Sequence, residues 1–250
     1  MRNFFLIFLS YVKRFFRDIK EVVLLLVIPI GLIVINSFFG DATLLEDYNI
    51  GASTNMPAFM LAFQFFNMGI MLYFLFNDFK GEMRWRLRAA PHSLLTFVLP
   101  AFVASWVFSL IIGVVIVLVS VIFLNAYLGN VLVLVVVLLI VSLMASFISM
   151  LIFLFAKNFK VANGLVYVIS FGLMILSGFM FPLGNSDIAV FMNRFGTPLA
   201  LGQRAIMYSG QINDLLGGGM EQSIINIGIL AAITLVLGIV TIVAARRIKI

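Results

Sequence analysis

The sequence predicts an all-α integral membrane protein with six transmembrane helices, and three observations predict it. Of the 250 residues, 64% are hydrophobic and 10% charged, with a mean hydropathy of +1.21, so too little polar surface exists to cover a soluble domain. Six apolar runs are long enough, at about 1.5 Å per helical residue, to cross a hydrocarbon core of about 30 Å. Lys and Arg collect on one side of those runs: of the 16, only Arg194 and Arg204 fall in a loop assigned to the other side. The formal charge of +6 therefore sets orientation, with both termini cytoplasmic in a multi-pass protein of the cell (plasma) membrane. It marks no nucleic-acid partner, because the basic residues sit in short blocks at the ends of apolar runs.

Residues 1–20 are predicted to form an interfacial amphipathic helix, with Phe4, Phe8, Tyr11, Val12, Phe15 and Ile19 on one side and Ser10, Lys13, Arg14, Arg17 and Lys20 on the other. Residues 21–250 then form the six-span domain. Span one, about 22–40, carries Pro29, which predicts a kink. Residues 41–55 hold Asp41, Glu46 and Asp47 but no Lys or Arg, and so belong outside. Span two, about 56–76, places Gln64 and Asn67 three residues apart on one face. Span three, about 94–124, is too long to stand upright, and Pro100 is expected to divide a short interfacial segment from the helix proper.

After a tight uncharged turn at 125–130, span four, about 131–156, carries Ser142, Ala145, Ser146 and Ser149, a small-residue stripe that favours close helix packing. Lys157 and Lys160 mark the next cytoplasmic turn. Span five, about 161–181, sets Asn163, Tyr167, Ser170 and Ser177 on one face. Residues 182–221 contain Pro182, Pro198 and the Gly217 to Gly219 run, yet also Phe191, Phe195, Leu199 and Ile206. That is too apolar for a solvated loop. Two short helices are predicted, in the outer leaflet or between other spans, with their ends covered by protein. Span six, about 224–245, is closed by Arg246, Arg247 and Lys249.

The basic stretch 77–91 reads as a short helix against the cytoplasmic face. Asn77 or Asp78 can cap its start, Lys80, Arg84 and Arg88 recur along one side, Met83 and Leu87 pair on another, and Pro91 ends it. Trp85 suits a membrane-water boundary. Such a segment either holds anionic headgroups of membrane lipids or docks a soluble partner.

Motifs for catalysis are missing. Cysteine is absent, the single histidine, His92, has no clustered carboxylate or second ligand, and no Gly-rich phosphate loop of the Walker type occurs. No Asp, Glu, Lys, Arg or His lies at mid-depth of a span, which disfavours a carrier driven by its own ion coupling. The polar residues within spans, Asn36, Gln64, Asn67, Asn163, Tyr167, Ser170 and Ser177, either line a path for an amphipathic solute or bond helix to helix.

Two stretches carry a family resemblance. Lys80-Gly81-Glu82 through Arg84, Arg86 and Leu87 to Pro91 is similar to a charged-Gly, basic-Leu, then Pro coupling segment. Ser177-Gly178-Phe179-Met180-Phe181-Pro182-Leu183, followed by Thr197-Pro198-Leu199 and Arg204, is similar to a Gly-x-x-x-Pro-Leu end of span five and a later Pro-Leu with a downstream Arg. With the six-span plan, the chain resembles the permease subunits of ABC-2 type exporters.

The resemblance implies a cytoplasmic coupling helix (Lys80, Met83, Arg84, Trp85, Arg86, Leu87 and Arg88) docking on a separate ABC ATPase subunit, which would bind ATP and Mg²⁺. It implies a second permease chain, as homodimer or related heterodimer. It also implies a path lined by spans two and five, near Gln64, Asn67, Asn163, Tyr167 and Ser170, and a re-entrant hairpin marked by Pro182, Pro198 and Arg204. A hydrophobic or amphipathic peptide, drug or lipid-like compound suits so uncharged a path. An ion-coupled carrier or channel without an ATPase, and a membrane anchor that transports nothing, are the readings from other classes.

Overall fold

A computed structural model describes residues 2–39, 44–45, 48–81, 95–178, 186–210 and 219–247. Among them six helical stretches are long and apolar enough to cross a membrane: Ile19–Phe38, Gly51–Phe79, Phe97–Leu124, Val131–Phe155, Phe159–Leu176 and Met220–Arg246. In chain order the helices are α1 (Arg2–Arg17), α2 (Ile19–Phe39), α3 (Ile50–Phe66), α4 (Met68–Phe79), α5 (Leu95–Leu124), α6 (Val131–Phe155), α7 (Phe159–Leu176), α8 (Asp187–Phe191), α9 (Pro198–Tyr208) and α10 (Met220–Arg247). A two-residue antiparallel pair, β1 (Leu44–Leu45) with β2 (Tyr48–Asn49), precedes α3.

Span two, built from α3 and α4, is the axis of the bundle. In its apolar window 83% of residues are buried, against 22% in spans one, five and six, because α2, α5, α6, α7 and α9 all pack around it. Its sequence allows that position: Ala58, Ala62 and Gly69 let neighbours approach, and unbranched Met56, Met60, Met68 and Met71 fill the gaps between them. The outward faces of α2, α7 and α10 remain apolar and exposed, as lipid contact requires.

Several expected boundaries shift, each for a local reason. The amino-terminal helix ends at Arg17, and Ile19, expected on its apolar face, instead begins α2 and is exposed. Pro100 does not divide span three: α5 is continuous from Leu95, since a proline so near a helix start deprives only one early carbonyl of its partner. α2 is likewise unbroken at Pro29. Span two extends from residue 50 to residue 79 with a single interruption at Asn67, so Asp78 lies inside a helix and caps nothing.

The small-residue stripe of span four faces inward. Ser142, Ala145, Ser146 and Ser149 are all buried, Ser149 Oγ donates to Met68 O at 3.2 Å, and Trp106 Nε1 donates to Ser142 Oγ at 3.0 Å. Within 182–221 two short helices are described, α8 and α9. α9 is not a surface element: it lies against α3, α6 and α10, with Leu201 and Ala205 fully buried. Gly202 permits this approach, since a Cβ there would lie 2.8 Å from Leu61 Cδ1 and 3.1 Å from Val137 Cγ1.

Hydrogen bonds tie the elements at one end of the bundle. Gln203 Nε2 of α9 donates to Thr54 O at 3.4 Å, and the turn after span three is joined to the start of α3, Tyr127 N donating to Ser53 Oγ at 2.8 Å and Asn49 N to Asn125 O at 3.2 Å. The opposite end carries Arg14, Lys80, Lys157 and Lys160, and is called the basic end below.

Candidate functional site

Two features of span two define the candidate site: its anchorage at the basic end, and a groove on its flank. At the basic end α4 presents Asp78, 6% exposed, to α1. Arg14 approaches it as a fork, Nη1 to Oδ2 at 2.7 Å and Nη2 to Oδ1 at 3.0 Å, and Tyr11 Oη donates to Oδ2 at 2.6 Å. The planar guanidinium matches a carboxylate in this two-bond geometry, which a lysine could not reproduce.

Arg14 also lies over the Phe74 ring, 4.8 Å from its centre, and Phe15 is wedged between Phe74 and Phe108 at centroid distances of 4.9 and 5.4 Å. Burial, reinforced by the Asp78 carboxylate, pushes the Tyr11 phenol well above its ordinary value, so it stays a donor. The hydrogen bond to Asp78 pushes Arg14 further up, so it stays charged.

Two residues on, Lys80 ties span two to span four. Its Nζ donates to Phe153 O at 2.9 Å and Ala156 O at 2.6 Å, two carbonyls at the end of α6 where helix geometry leaves acceptors without partners and the helix dipole is negative. The rings of Phe76 and Phe153 flank the ammonium at 4.6 and 4.9 Å. Desolvation among them lowers the Lys80 pKa. Lys80, expected beside Arg84 and Arg88 on one face, is thus engaged by α6. Met83, Arg84, Trp85, Arg86, Leu87 and Arg88, and the helix expected around them, lie outside the described residues.

The groove, about 590 Å³, runs between α2, the α3–α4 span and α7. Asn163 and Tyr167 line it, Tyr167 being half-exposed. Its walls are mainly aromatic: Phe66 meets Phe171 edge-on at 4.9 Å and Phe63 at 5.1 Å, and Tyr73 meets Phe159 at 5.8 Å. Asp18 and Glu21, where α1 gives way to α2, stand at its basic end. Aromatic faces, one amide and two phenols offer an apolar body a broad contact and give it few hydrogen bonds to satisfy.

The other three residues expected on the path are buried beside it. Gln64, 1% exposed, accepts from Ser109 Oγ at 2.5 Å across to span three and donates to Met60 O at 3.3 Å. Gly113 makes room for that amide, since a Cβ there would lie 2.9 Å from Gln64 Nε2. Gln64 is therefore a helix-to-helix bond.

Asn67 occupies the break between α3 and α4, with its backbone N–H donating to Phe63 O at 3.1 Å. Asn67 Oδ1 and Ser170 Oγ are buried with no hydrogen-bond partner among the described residues. Of the residues expected in a re-entrant hairpin, Pro198 opens α9 behind Thr197, whose Oγ1 accepts from Ala200 N at 3.1 Å, and Arg204 Nη1 donates to Tyr208 Oη at 2.8 Å. Pro182 lies outside the described residues.

Sequence reasoning missed the Tyr11–Arg14–Asp78 cluster and the aromatic walls. A signal for the first existed: Asp78 closes a long apolar run with no cation one turn before it. The second carried none, because a phenylalanine that faces a groove has the same spacing as one that faces lipid. In comparisons with known proteins, the family described as ABC-2 type transporter matches residues 2–209, and no curated protein matches.

Proposed function

This chain belongs to the ABC-2 type transporter family, and from that premise we propose that it is the permease of an ATP-driven exporter that moves a hydrophobic or amphipathic compound out of the cell. A separate ABC ATPase subunit binds ATP and Mg²⁺ and supplies the work. A second permease chain, identical or related, completes the path, and both termini face the cytoplasm at the plasma membrane. The observation that carries this reading is the groove of about 590 Å³, with six aromatic side chains on its walls and no Lys or Arg among its described lining residues. Such a surface favours an aromatic or aliphatic body over a polyanion.

Coupling follows from how span two is held. Closure of two ATPase subunits is a rigid-body motion, and residues 82–91, joined directly to α4, receive it in this reading. The fork from Arg14 and the reach of Lys80 make α1, α4 and the end of α6 move as one piece. Tyr73 and Phe66, on the span so driven, are groove walls, so a displacement of α4 against α7 changes the width of the path.

Three experiments test the reading. Purification of the native complex in mild detergent should bring down a stoichiometric subunit with a Walker motif. Arg84→Glu with Arg88→Glu should release that subunit or uncouple ATP hydrolysis from transport while the permease stays inserted. Narrowing the groove with Asn163→Trp should lower export of a hydrophobic dye in vesicles and leave the subunit bound. A chain that purifies alone and moves solute through sealed liposomes without ATP would overturn the reading.

A further inference from the structure

We propose that the back of the groove carries a polar subsite, Asn67 Oδ1 with Ser170 Oγ, that takes one uncharged hydroxyl or amide group of the compound the groove holds. The inference rests on the groove reading above and narrows its substrate class to hydrophobic compounds that carry such a group.

The first argument is that both atoms lack a partner. Asn67 is 3% exposed and Ser170 1%, and neither Asn67 Oδ1 nor Ser170 Oγ has a hydrogen bond among the described residues. Buried polar atoms are ordinarily paired, because a dry orphan gives up its hydration and receives nothing in return. Neighbouring polar groups follow that rule. Ser142, Ser146 and Ser177 donate back to carbonyls of their own helices, and Gln64 is bonded to Ser109. Ser170, in the same kind of helix, does not turn back.

The second argument is where the two residues stand. Phe66 meets Phe171, Tyr73 meets Phe159, and a Cβ on Gly69 would lie 3.4 Å from Asn163 Oδ1, so α7 runs antiparallel to span two. One residue on from Phe66 and one back from Phe171, Asn67 and Ser170 share a register and therefore a depth. Their faces agree as well. The buried stripe of α7 is Ala162, Val166, Ser170 and Met174, of which Val166 and Met174 line the groove. Asn67 follows Phe63 by one turn and precedes Ile70 by one, and both of those line it too. The orphans thus lie behind the Phe66–Phe171 pair. Asn67 is also the break between α3 and α4, so an adjustment that admits a ligand group there interrupts no continuous helix.

Their chemistry selects the group. Asn67 Oδ1 only accepts, whereas the Ser170 hydroxyl donates or accepts. A ligand hydroxyl can donate to the first and accept from the second, and an amide does the same through its N–H and C=O. A charged group is disfavoured at this depth: Asp18 and Glu21 stand at the basic end of the groove, beyond Tyr73, which is about 9 Å of helix from Asn67. The aromatic walls hold the rest of the molecule.

The test uses the full chain in lipid nanodiscs and compares equilibrium binding of tritiated 4-phenylphenol, uncharged at neutral pH, with that of tritiated biphenyl, which has the same rings and no hydroxyl. Partition into lipid is the part that excess unlabelled compound does not displace. Saturable binding of the phenol at least about tenfold tighter than that of biphenyl is expected, the worth of two neutral hydrogen bonds. Ser170→Ala removes the hydroxyl and adds no volume; it should bring the two compounds to within about threefold by weakening the phenol alone. Ser170→Thr, which keeps a hydroxyl, should restore most of the preference. Asn163→Trp, which fills the groove, should weaken both compounds together.

Equal binding of the two compounds to the parent chain, or a preference that survives Ser170→Ala, overturns the subsite and leaves the groove reading in place. Equal weakening of both compounds by Ser170→Ala marks a purely structural hydroxyl and overturns it as well. No saturable binding of either compound overturns the groove reading and the subsite with it. Neither ATP nor a partner subunit enters the measurement, so its result stands apart from the co-purification experiment.

Discussion

Replacing Asp78 by Asn tests how α1 is held to span two. The substitution keeps the side-chain volume and one acceptor but removes the charge and one of the two positions that Arg14 engages. Asp78 is 6% exposed, which argues for a large effect, whereas the Arg14 side chain is 40% exposed, so water recovers part of what the guanidinium loses. Exposed pairs contribute about 0.2–1 kcal/mol, and breaking a fully buried one costs about 3–5 kcal/mol. Between these limits about 2 kcal/mol is expected, or roughly thirtyfold in the equilibrium for α1 detachment.

Amide hydrogen exchange in lipid nanodiscs, read by mass spectrometry, measures that equilibrium directly. Protection over residues 11–17 should fall by about thirtyfold, while residues 131–155 of α6 keep theirs. Arg14→Gln with Asp78→Asn should cost clearly less than the sum of the single changes, because both remove the same contact. Unchanged protection in α1, or strict additivity in the double variant, would refute the argument. Phe15 packing between Phe74 and Phe108 would then be what holds the helix.

Other expectations follow from the same end of the bundle and from the core. Lys80→Met removes the donor to Phe153 O and Ala156 O at the end of α6, and should lower stability by about 1 kcal/mol, seen as a lower Tm that Lys80→Arg partly restores. For Tyr11 the sign is fixed by a raised pKa: its contact keeps full stability below the ordinary value of 10.0 and loses it as pH climbs through the higher folded value. At a pH just above 10.0 the folded parent and Tyr11→Phe should therefore show equal ultraviolet tyrosinate absorbance; a smaller signal in the variant would show that Tyr11 ionises normally. Gly202→Val, with its added carbons set against Leu61 and Val137, should cost about 1–3 kcal/mol or prevent a monodisperse preparation in size-exclusion chromatography.

The spans were legible because hydrocarbon imposes one requirement on each separately. Every helix must satisfy its own backbone and present an apolar surface over about 20 residues, and both conditions are written in consecutive residues. Caps are local too, although the sequence reading named none of these: Asn49, Asn130, Asn158, Ser186 and Thr197 each accept from a backbone amide at a helix start. The small-residue stripe on span four could also be read, since its spacing and its packing role belong to one helix face. Gln64 could not be assigned from sequence alone, because the same amide serves a path or a bond to Ser109, depending on which helix stands opposite.

By itself the sequence determined that the chain spans a membrane six times, which ends of the spans are basic, and that a connector too apolar for a solvated loop follows span five. Only the tertiary structure decided that span two is the axis, that Asp78 belongs to Arg14 and Tyr11, and that Lys80 belongs to α6. The reason is physical: insertion is governed by the transfer of each segment into hydrocarbon. Which segments then touch is governed by packing and hydrogen bonds between residues as far apart as Tyr11 and Asp78, and their separation in the chain carries no trace of it.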